Sequence, residues 1–401
     1  MIIGIIGAGA SGMAAALAAA DCPGAQVLLF ERQSRVGKKL SATGNGRCNL
    51  TNLNALTGGY HGEDATFANA ALEKLTPLAT LAWFRSLGLF TVTESSGRVY
   101  PFSDQANSVV DVLRLALVRE NITLHTGVEI AKVRKEGTGF LLEDKWYCDR
   151  VIIACGGLAG TRLGGSLSGY KLLSKFGHRA TRLRPSLVQL RCDWPHGAAL
   201  KGVRAECTVT IRKNDELFAS SKGEIQFTEQ GLSGPVMFEV SRDVCSTPAE
   251  WFAELDLLPQ VTPADLLAEL TRRKDTALPF EELLTGIVHN RLGRVLVKMA
   301  GVRGRDLVAE VSDEEMQDIC RMVKLCRIKL TEPLGMDSAQ VTAGGVLTEG
   351  FDPDTMESKL VPGLYACGEV LDIDGDCGGY NLQWAWSSGR LAGLCAGREE
   401  Q

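Results

Sequence analysis

The 401-residue sequence predicts an α/β fold divided into two or three domains. Three observations predict it. The chain opens with an apolar strand, a glycine-rich turn and an alanine-rich helix over residues 1–20, and it closes with a short strand, a glycine-bearing loop and a helix over 363–393. Between these ends, strand-like segments at 187–258 are followed by helix-like segments at 263–326 and a strand-like return at 327. A chain of this length buries a sizeable core.

The opening stretch, MIIGIIGAGASGMAAALAAA, has no charged side chain and is long enough to span a bilayer. Four glycines interrupt it, however, at Gly4, Gly7, Gly9 and Gly12. No Lys or Arg precedes it, as the basic region of a signal peptide would require. The stretch therefore predicts a buried strand, a tight turn and a helix that begins at about Ser11.

Composition narrows the class of protein. The net charge of -5 gives no global signal for nucleic acid, and no other uncharged run approaches membrane length. The twelve cysteines include no Cys-X-X-Cys pair and no zinc-ligand spacing, so we expect no metal site and a reducing, cytoplasmic setting. The 44 glycines cluster, which indicates loops that approach a ligand closely.

The turn after the first strand has the G-x-G-x-x-G pattern of a dinucleotide site. Gly7 permits the tight turn, Gly9 lets the backbone approach a pyrophosphate, and Gly12 allows the helix to pack closely on the strand. The N-terminus of the helix offers free N–H groups to the phosphates. A second strand, QVLLFE, ends in Glu31, whose carboxylate can accept hydrogen bonds from both ribose hydroxyls.

The C-terminal part of the chain indicates which dinucleotide is bound. Residues 364–367 read as a buried strand, Gly368 and Glu369 follow it, and a helix begins at about Tyr380. Such a unit suits the ribityl chain of FAD, and the positive end of the helix would stabilise negative charge on the flavin pyrimidine. A third element, VIIACGG at 151–157, is a strand that runs into glycines close to the same ligand.

Four motifs carry a resemblance to a known family. They are GAGASG at 7–12, GKKLSATGNGRCNLTN at 37–52, FTEQGLSGP at 227–235 and the long segment at 341–389 that includes CGEVLDIDGDCGGYN. Over nearly its whole length the sequence resembles the YhiN/BaiN-like flavoproteins, a family within the glutathione-reductase-like FAD superfamily. The resemblance implies a Rossmann-like FAD-binding domain with an inserted β-barrel-like domain and a helical insertion. The implied domains are 1–185 and 341–401 for FAD, 186–262 and 327–340 for the barrel, and 263–326 for the helices.

The resemblance also implies the residues of the site. GNGRCN would line the flavin, Lys39 would help to hold it, and Gly378 to Asn381 would cap its pyrimidine end. The sequence departs from the family at Ser168, where an acidic residue is common. The expected cofactor contacts are Gly7, Gly9, Ala10, Ser11, Gly12, Glu31, Arg32, Lys39, Leu40, Gly44, Asn45, Gly46, Arg47, Cys48, Asn49, Val128, Ala154, Gly156, Gly157, Gly368, Glu369, Gly378, Gly379, Tyr380, Asn381 and Leu382.

Members of this family are linked to two reductions, one of steroid-type enones and one of uracil to dihydrouracil in large-subunit ribosomal RNA. Both add a hydride to a double bond conjugated to a carbonyl. Such a reaction needs a carbonyl-polarising donor and an acid at the α-carbon. Cys48, Cys377 and Tyr380 are the candidate acids, each with packing or cofactor contact as the alternative role, and Arg47 would polarise a carbonyl or bind a phosphate.

The electron donor and the substrate stay open at the level of sequence. No second G-x-G-x-x-G occurs, so NAD(P)H is expected to visit the flavin transiently. The segment from Thr271 to Arg305 contains eight basic and three acidic residues. This local excess of positive charge is either a face that contacts phosphates or a solvated helical surface. A flavin-dependent oxidase of a small amine or hydroxy acid, or a flavin-binding protein without turnover, remains an alternative, and the oligomeric state is unknown.

Overall fold

The structure is a computed structural model that describes residues 1–244 and 247–398. The chain divides into two compact units, one formed by Met1–Pro185 and Met336–Gln401 and the other by Ser186–Gly335. Residues 336–340, which the sequence assigns to the barrel, belong to the first unit. The carbonyl of Met336 accepts the Gly160 N–H at 2.7 Å there, which ties the returning chain to the first unit before the next strand begins.

The elements are numbered in chain order. The strands are β1 Ile2–Ile6, β2 Gln26–Glu31, β3 Thr51–Asn52, β4 Tyr60–His61, β5 Thr91–Thr93, β6 Arg98–Pro101, β7 Ile122–Thr126, β8 Val133–Glu136, β9 Gly139–Leu142, β10 Trp146–Cys148, β11 Arg150–Ile153, β12 Arg184–Ser186, β13 Leu190–Asp193, β14 Arg204–Lys213, β15 Glu216–Phe227, β16 Gly231–Ser233, β17 Trp251–Asp256, β18 Cys326–Pro333, β19 Val341–Ala343, β20 Leu364–Ala366 and β21 Asp374–Gly375. The α-helices are α1 Ala10–Ala20, α2 Ala68–Lys74, α3 Pro77–Ser86, α4 Ala106–Ala116, α5 Ser168–Ser174, α6 Gly197–Leu200, α7 Pro235–Val244, α8 Pro263–Arg272, α9 Asn290–Met299, α10 Asp313–Lys324 and α11 Tyr380–Gly397.

A five-stranded parallel sheet, in the order β20-β11-β1-β2-β7, forms the centre of the first unit. The central strand β1 pairs with both neighbours, so that Ile5 lies opposite Leu29 on one side and Ile152 on the other. All three side chains are fully buried, as expected for a parallel sheet with both faces covered. The first strand β1 and the C-terminal strand β20 therefore lie in one sheet, and the predicted α/β, Rossmann-like class is confirmed.

Helices α1 and α11 pack against each other through small residues. A Cβ added at Gly389 or Gly393 of α11 would come closer than 3.0 Å to the carbonyl oxygens of Ser11 and Ala15 on α1. Side chains on these glycines would force the two helices apart. The alanines and glycines of the first and last helices thus bring the N-terminus of α1 close to the C-terminal part of the chain.

The second unit contains a closed barrel of six strands in the order β13-β16-β15-β14-β17-β18. Its longest hairpin, β14–β15, turns through Asn214 and Asp215, both of which have positive φ (49° and 68°). Two successive left-handed residues are the signature of a type I′ turn, which matches the twist of the flanking strands. The predicted β-barrel-like insertion is confirmed.

The segment 263–326 is mainly helical, as predicted, but the helix-like stretch between residues 280 and 300 is interrupted in the structure. Phe280–Glu282 forms a single 3₁₀ turn, and the α-helix is confined to Asn290–Met299. Gly286, at a φ of +80°, breaks the helical path between them. The α-helix begins directly after His289, whose side chain accepts a hydrogen bond from the Arg291 N–H at 3.2 Å.

Within the described residues, no helix combines the length and apolar character needed to cross a bilayer. In those same ranges, no three His, Cys, Asp or Glu side chains are grouped as metal ligands would be.

Candidate active site

The glycines of the first turn differ in what surrounds them. Gly7 has a φ of +106°, and a Cβ there would overlap the Ala154 carbonyl, while a Cβ on Gly12 would overlap the carbonyl of Gly7. A Cβ on Gly9 would meet no atom within 4 Å. Gly7 and Gly12 are therefore required by packing, whereas Gly9 borders open space at the start of α1. This is the arrangement that a pyrophosphate lying against the backbone requires.

Glu31 lies at the end of β2 and is held against the turn. Its Oε2 accepts the Ala8 N–H at 3.0 Å and its Oε1 accepts the Gln33 N–H at 2.8 Å. Each carboxylate oxygen has further acceptor capacity, so the residue fits a ribose with two hydroxyl donors. The Val128 N–H bonds to the Glu31 carbonyl at 3.0 Å, and the Arg32 guanidinium donates to the Gly164 carbonyl at 2.7 Å.

The other two glycine elements meet this turn. Ala154 is buried, Gly156 (φ +70°) borders open space, and a Cβ on Gly157 would overlap the side chains of Thr342 and Glu369. Gly368 (φ +75°) approaches α1 so closely that its Cβ would lie 2.5 Å from the Ser11 Oγ. Ala10 and Ser11 form the first turn of α1. The strand ends at 154–157 and 368–369 thus converge on the N-terminus of that helix.

Lys39 belongs to the same cluster. Its Nζ lies 2.8 Å from Glu369 Oε2, and Glu369 Oε1 also accepts the Thr342 N–H at 2.8 Å. The ammonium predicted to hold the cofactor is thus oriented by a carboxylate of the C-terminal motif. Leu40, which follows it, is buried and begins the 3₁₀ segment Leu40–Gly46.

The GNGRC segment has a strained backbone. Gly44, Asn45, Gly46 and Cys48 all have positive φ, at 57°, 55°, 87° and 60°. Non-glycine residues pay a steric cost in this region, and such strain concentrates at ligand-binding sites. A Cβ on Gly46 would meet nothing within 4 Å, so the loop presents bare backbone to open space. This is consistent with the predicted position of the loop beside a flat ring.

Cys48 is fully buried behind this loop. Burial raises the pKa of its thiol to about 12, although a hydrogen bond with Thr43 opposes the shift. The thiol is therefore protonated at neutral pH. It can donate a proton or fill the core, but it cannot act as a thiolate.

We predict that Cys48→Ala slows substrate reduction while leaving the flavin spectrum nearly intact, because the residue shapes the strained loop more than the cofactor cradle. Cys148→Ala is the matched control, since Cys148 is also fully buried and its pKa is also raised to about 12 by burial. Both variants should lose on the order of 1 kcal/mol of unfolding free energy. Equal turnover numbers in the two purified variants would assign Cys48 to packing alone.

Asn49 carries an unsatisfied acceptor. Its Oδ1 is buried and has no hydrogen-bond partner among the described residues. A Cβ on Gly379, at a φ of +102°, would lie 3.0 Å from that oxygen. A buried polar atom without a partner is costly, so this oxygen next to the start of α11 fits a donor group on a bound ligand. Together with the open space at Gly9, this unpaired oxygen is consistent with a dinucleotide such as FAD bound along these residues.

The start of α11 orients several predicted residues. Asn381 forms reciprocal hydrogen bonds with Gly375, from the Gly375 N–H to Oδ1 at 2.8 Å and from Nδ2 to the Gly375 carbonyl at 2.7 Å. Leu382 packs, half-buried, on the core. The ring centroids of Tyr380 and Tyr60 lie 5.8 Å apart, edge to face, and the Tyr60 hydroxyl donates to the Tyr380 carbonyl at 3.2 Å. Burial raises the pKa of the Tyr380 phenol, and Asp376 adds to the shift.

Arg47 does not present an unpaired guanidinium. It donates to Asp104 and, at 3.3 Å, to Glu94, and it covers the Tyr100 ring at 4.0 Å from the centroid. Its pKa is raised, first by the hydrogen bond with Asp104. The two carboxylates offset its charge, which does not favour the predicted alternative of phosphate binding.

Tyr100 and Arg98 are site residues that the sequence reasoning missed. A Cβ on Gly378 would lie 2.8 Å from Arg98 Nε, so Arg98 borders the turn before α11. Burial raises the pKa of Tyr100, and nearby Cys377 contributes to that shift, which places this partly buried cysteine in the same neighbourhood. The only sequence feature that could have indicated these two residues is their two-residue spacing in the short strand Arg98–Pro101, which contains no glycine to mark a ligand.

Ser168, which stands where an acidic residue is common in the family, is hydrogen-bonded to a neighbouring serine. The Ser168 Oγ lies 2.8 Å from the Ser166 Oγ at the start of α5. No carboxylate takes the place of the family's acidic residue at this position of the chain.

Comparisons with known proteins identify the family of the chain. A family model described as the HI0933-like protein Rossmann domain matches residues 1–395. A 3-dehydro-bile acid delta(4,6)-reductase of Clostridium scindens is 40% identical over 404 residues, with 98% of each chain covered. A ribosomal RNA dihydrouridine synthase of Escherichia coli is 33% identical, covering 96% of this chain and 95% of the relative.

The fold also occurs among solved structures. The 3-ketosteroid delta1-dehydrogenase from Sterolibacterium denitrificans, in complex with 1,4-androstadiene-3,17-dione, has a TM-score of 0.50 at 15% identity and covers 98% of this chain and 99% of its own. With the family match over nearly the whole sequence and the residues that fit the cofactor, the chain belongs to the HI0933-like family and is an FAD-dependent oxidoreductase.

Proposed function

We propose that the protein uses NAD(P)H to reduce a carbon–carbon double bond that is conjugated to a carbonyl. Tyr380 is the observation that carries the proposal: it is the first residue of α11 and directly follows the Gly378–Gly379 turn that is predicted to border the flavin. A phenol is protonated at neutral pH, so from this position it can give the proton that such a reduction needs. The names of the two relatives, a 3-dehydro-bile acid delta(4,6)-reductase and a ribosomal RNA dihydrouridine synthase, both fit a reaction of this type.

The reaction balances with the groups available. Bound FAD supplies the chemistry of accepting a hydride from the nicotinamide and giving it to the β-carbon of the substrate. The nicotinamide is oxidised to NAD(P)⁺, the double bond is reduced to a single bond, and one proton is taken up at the α-carbon. In this proposal Tyr380 holds that proton, and Arg98 at the edge of the site lowers the cost of negative charge on the carbonyl oxygen.

The other predicted acids are less suited by position. Cys48 is fully buried behind the strained loop, and Cys377 is a partly buried residue in the turn before α11, three residues ahead of Tyr380. Arg47 is occupied by Asp104 and Glu94. We assign these three residues to shaping the site.

The second unit supports an RNA substrate less well than the sequence indicates. Most of the eight basic residues between 271 and 305 are engaged: Arg273 and Arg272 with Glu269, Lys274 with Asp313, Arg294 with Glu282, and Arg305 with Glu315. The Arg291 guanidinium donates to the Ala199 carbonyl at 2.9 Å. Within the described residues, Lys298 and Arg303 are left without such partners. Reduction of uracil in ribosomal RNA, supported by the E. coli relative, remains the second candidate.

Product analysis tests the proposal. The purified holoprotein is incubated without oxygen with NADH or NADPH and with either an enone or a uracil-containing ribosomal RNA fragment. We expect a product heavier by two hydrogens and one oxidised nicotinamide for each product molecule. In a parallel incubation in air, hydrogen peroxide formation from an amine or hydroxy acid would instead support the oxidase, and no turnover with any donor would support a binding protein. The cysteine pattern leads us to place this reaction in the cytoplasm.

A further inference from the structure

Two polar side chains on β12 are buried without a hydrogen-bond partner. The Arg184 Nε and the Ser186 Oγ are both shielded from solvent, and neither bonds to a group among the described residues. Ser186 as a whole is 1% exposed. Residues two apart on a strand project to the same side, so the guanidinium N–H and the hydroxyl share one face of β12. We call Arg184 and Ser186 the donor pair.

The donor pair carries a positive charge that the protein does not offset. A guanidinium stays charged at any pH at which proteins fold, and an unpaired buried donor or charge is costly. Arg179, in the same segment of the chain, pairs with Glu349 at 2.8 Å, whereas within residues 1–244 and 247–398 no carboxylate pairs with Arg184. A water molecule or a neutral carbonyl would satisfy the donors but would leave the charge of Arg184 uncompensated.

The backbone directly after the donor pair is strained. Leu187 has a φ of +49°, in the left-handed region that a bulky side chain avoids, and the residue is buried. Backbone strain of this kind concentrates where ligands bind. The strain is independent of the unpaired donors, and both observations fall within four consecutive residues.

The donor pair lies one strand away from the candidate active site. Strand β12 pairs with β19, and paired strands are about 5 Å apart. Strand β19 carries Thr342, whose Oγ1 accepts the Ala159 N–H at 2.9 Å and whose N–H donates to Glu369 Oε1 at 2.8 Å. A ligand on the donor pair is therefore held beside the strand that orients the predicted cofactor residues.

We infer that the donor pair is an oxyanion site, which takes a carboxylate or a phosphate group. The guanidinium supplies a charge-assisted hydrogen bond and the hydroxyl supplies a second donor to the same group. An oxyanion satisfies both donors and offsets the charge, which no neutral group does. The inference goes beyond the proposed function and does not depend on it, because an oxyanion can bind whether or not the flavin turns over.

Calorimetric titration of the oxidised holoprotein tests the inference, with sodium phosphate and sodium acetate as separate probes at constant ionic strength. The holoprotein is used because the phosphates of bound FAD then occupy the cradle at Gly9. We expect one anion to bind per chain. Arg184→Gln should weaken its binding at least about tenfold, and Ser186→Ala on the order of fivefold. Arg179→Gln is the matched control, because it removes the same charge from a side chain that is 76% exposed, and it should match the parent.

The two probes distinguish the sources of the oxyanion: binding of phosphate alone assigns the site to a phosphate group, and binding of acetate alone assigns it to a carboxylate. If Arg184→Gln does not fold, Ser186→Ala decides, because loss of one hydroxyl leaves the packing of the strand intact. Binding of neither anion by the parent would overturn the inference and leave the donors to ordered water. Parental affinity in both donor-pair variants, or an equal loss in Arg179→Gln, would also overturn it.

Discussion

Replacing Gly9 with alanine leaves a folded protein that binds FAD on the order of a hundredfold more weakly. The new methyl group meets no protein atom within 4 Å, so folding is unaffected, and the φ of −80° at Gly9 is open to alanine. The same methyl group occupies the space in which a pyrophosphate must approach the backbone. Flavin fluorescence titration of the apoprotein measures the dissociation constant, and denaturation of the parent should release FAD rather than FMN.

Gly12→Ala is the control for this prediction, because its Cβ would overlap the Gly7 carbonyl inside the protein. We expect it to lose about 3 kcal/mol of unfolding free energy in the flavin-free protein, measured with urea. Gly9→Ala should stay close to the parent in the same assay. Parental FAD affinity in Gly9→Ala would contradict the placement of the cofactor on this turn.

Tyr380→Phe should reduce the rate of enone reduction about a hundredfold, which is the lower end of what a positioned acid contributes. Flavin reduction by NAD(P)H should be unchanged, because that step needs no proton from the phenol. Tyr60→Phe is the control: it removes the hydroxyl that donates to the Tyr380 carbonyl but leaves the phenol of Tyr380 in place. An equal loss in both variants would assign Tyr380 to packing.

The pH dependence has a defined sign. An acid acts only while protonated, and burial raises the pKa of Tyr380 above its ordinary value. The rate of enone reduction should therefore be flat from about pH 6 to about pH 9 and fall only at higher pH. The Cys48 thiol, with a pKa of about 12, adds no fall in that range. A fall centred near pH 8 would indicate an acid other than these two.

The sequence was sufficient to predict those elements in which two backbone segments lie so close together that only glycine fits between them. Gly7 and Gly12 are recognisable because only glycine fits beside the neighbouring carbonyls, and the strand and helix around them follow from apolar periodicity. The apolar run of β2 predicts its end at Glu31, and the two glycines before α11 predict the start of that helix near Tyr380. Local pattern was sufficient wherever a motif combined glycine spacing with a buried strand.

Residues brought together by long-range packing could not be predicted. Arg98 and Tyr100 reach the site through a short hairpin, and the fully buried Gln383 amide donates to the Leu75 carbonyl at 2.7 Å and to Thr80 Oγ1 at 2.9 Å across the fold. The partners of Arg47 are equally distant in sequence, at Glu94 and Asp104. Nothing in the local sequence around these residues records such pairings, so the charge state of the site emerges only from the structure.

Anaerobic stopped-flow spectroscopy tests the central claim most directly. The holoprotein is mixed first with NADH or NADPH and then with an enone, a uracil-containing RNA or oxygen, and the flavin absorbance is followed through both steps. The account predicts rapid bleaching by a reduced nicotinamide, rapid return of the absorbance with a conjugated carbonyl compound, and slow return with oxygen. Failure of both nicotinamides to bleach the flavin, or a rapid return of the absorbance with oxygen and none with the enone or the RNA, would contradict it.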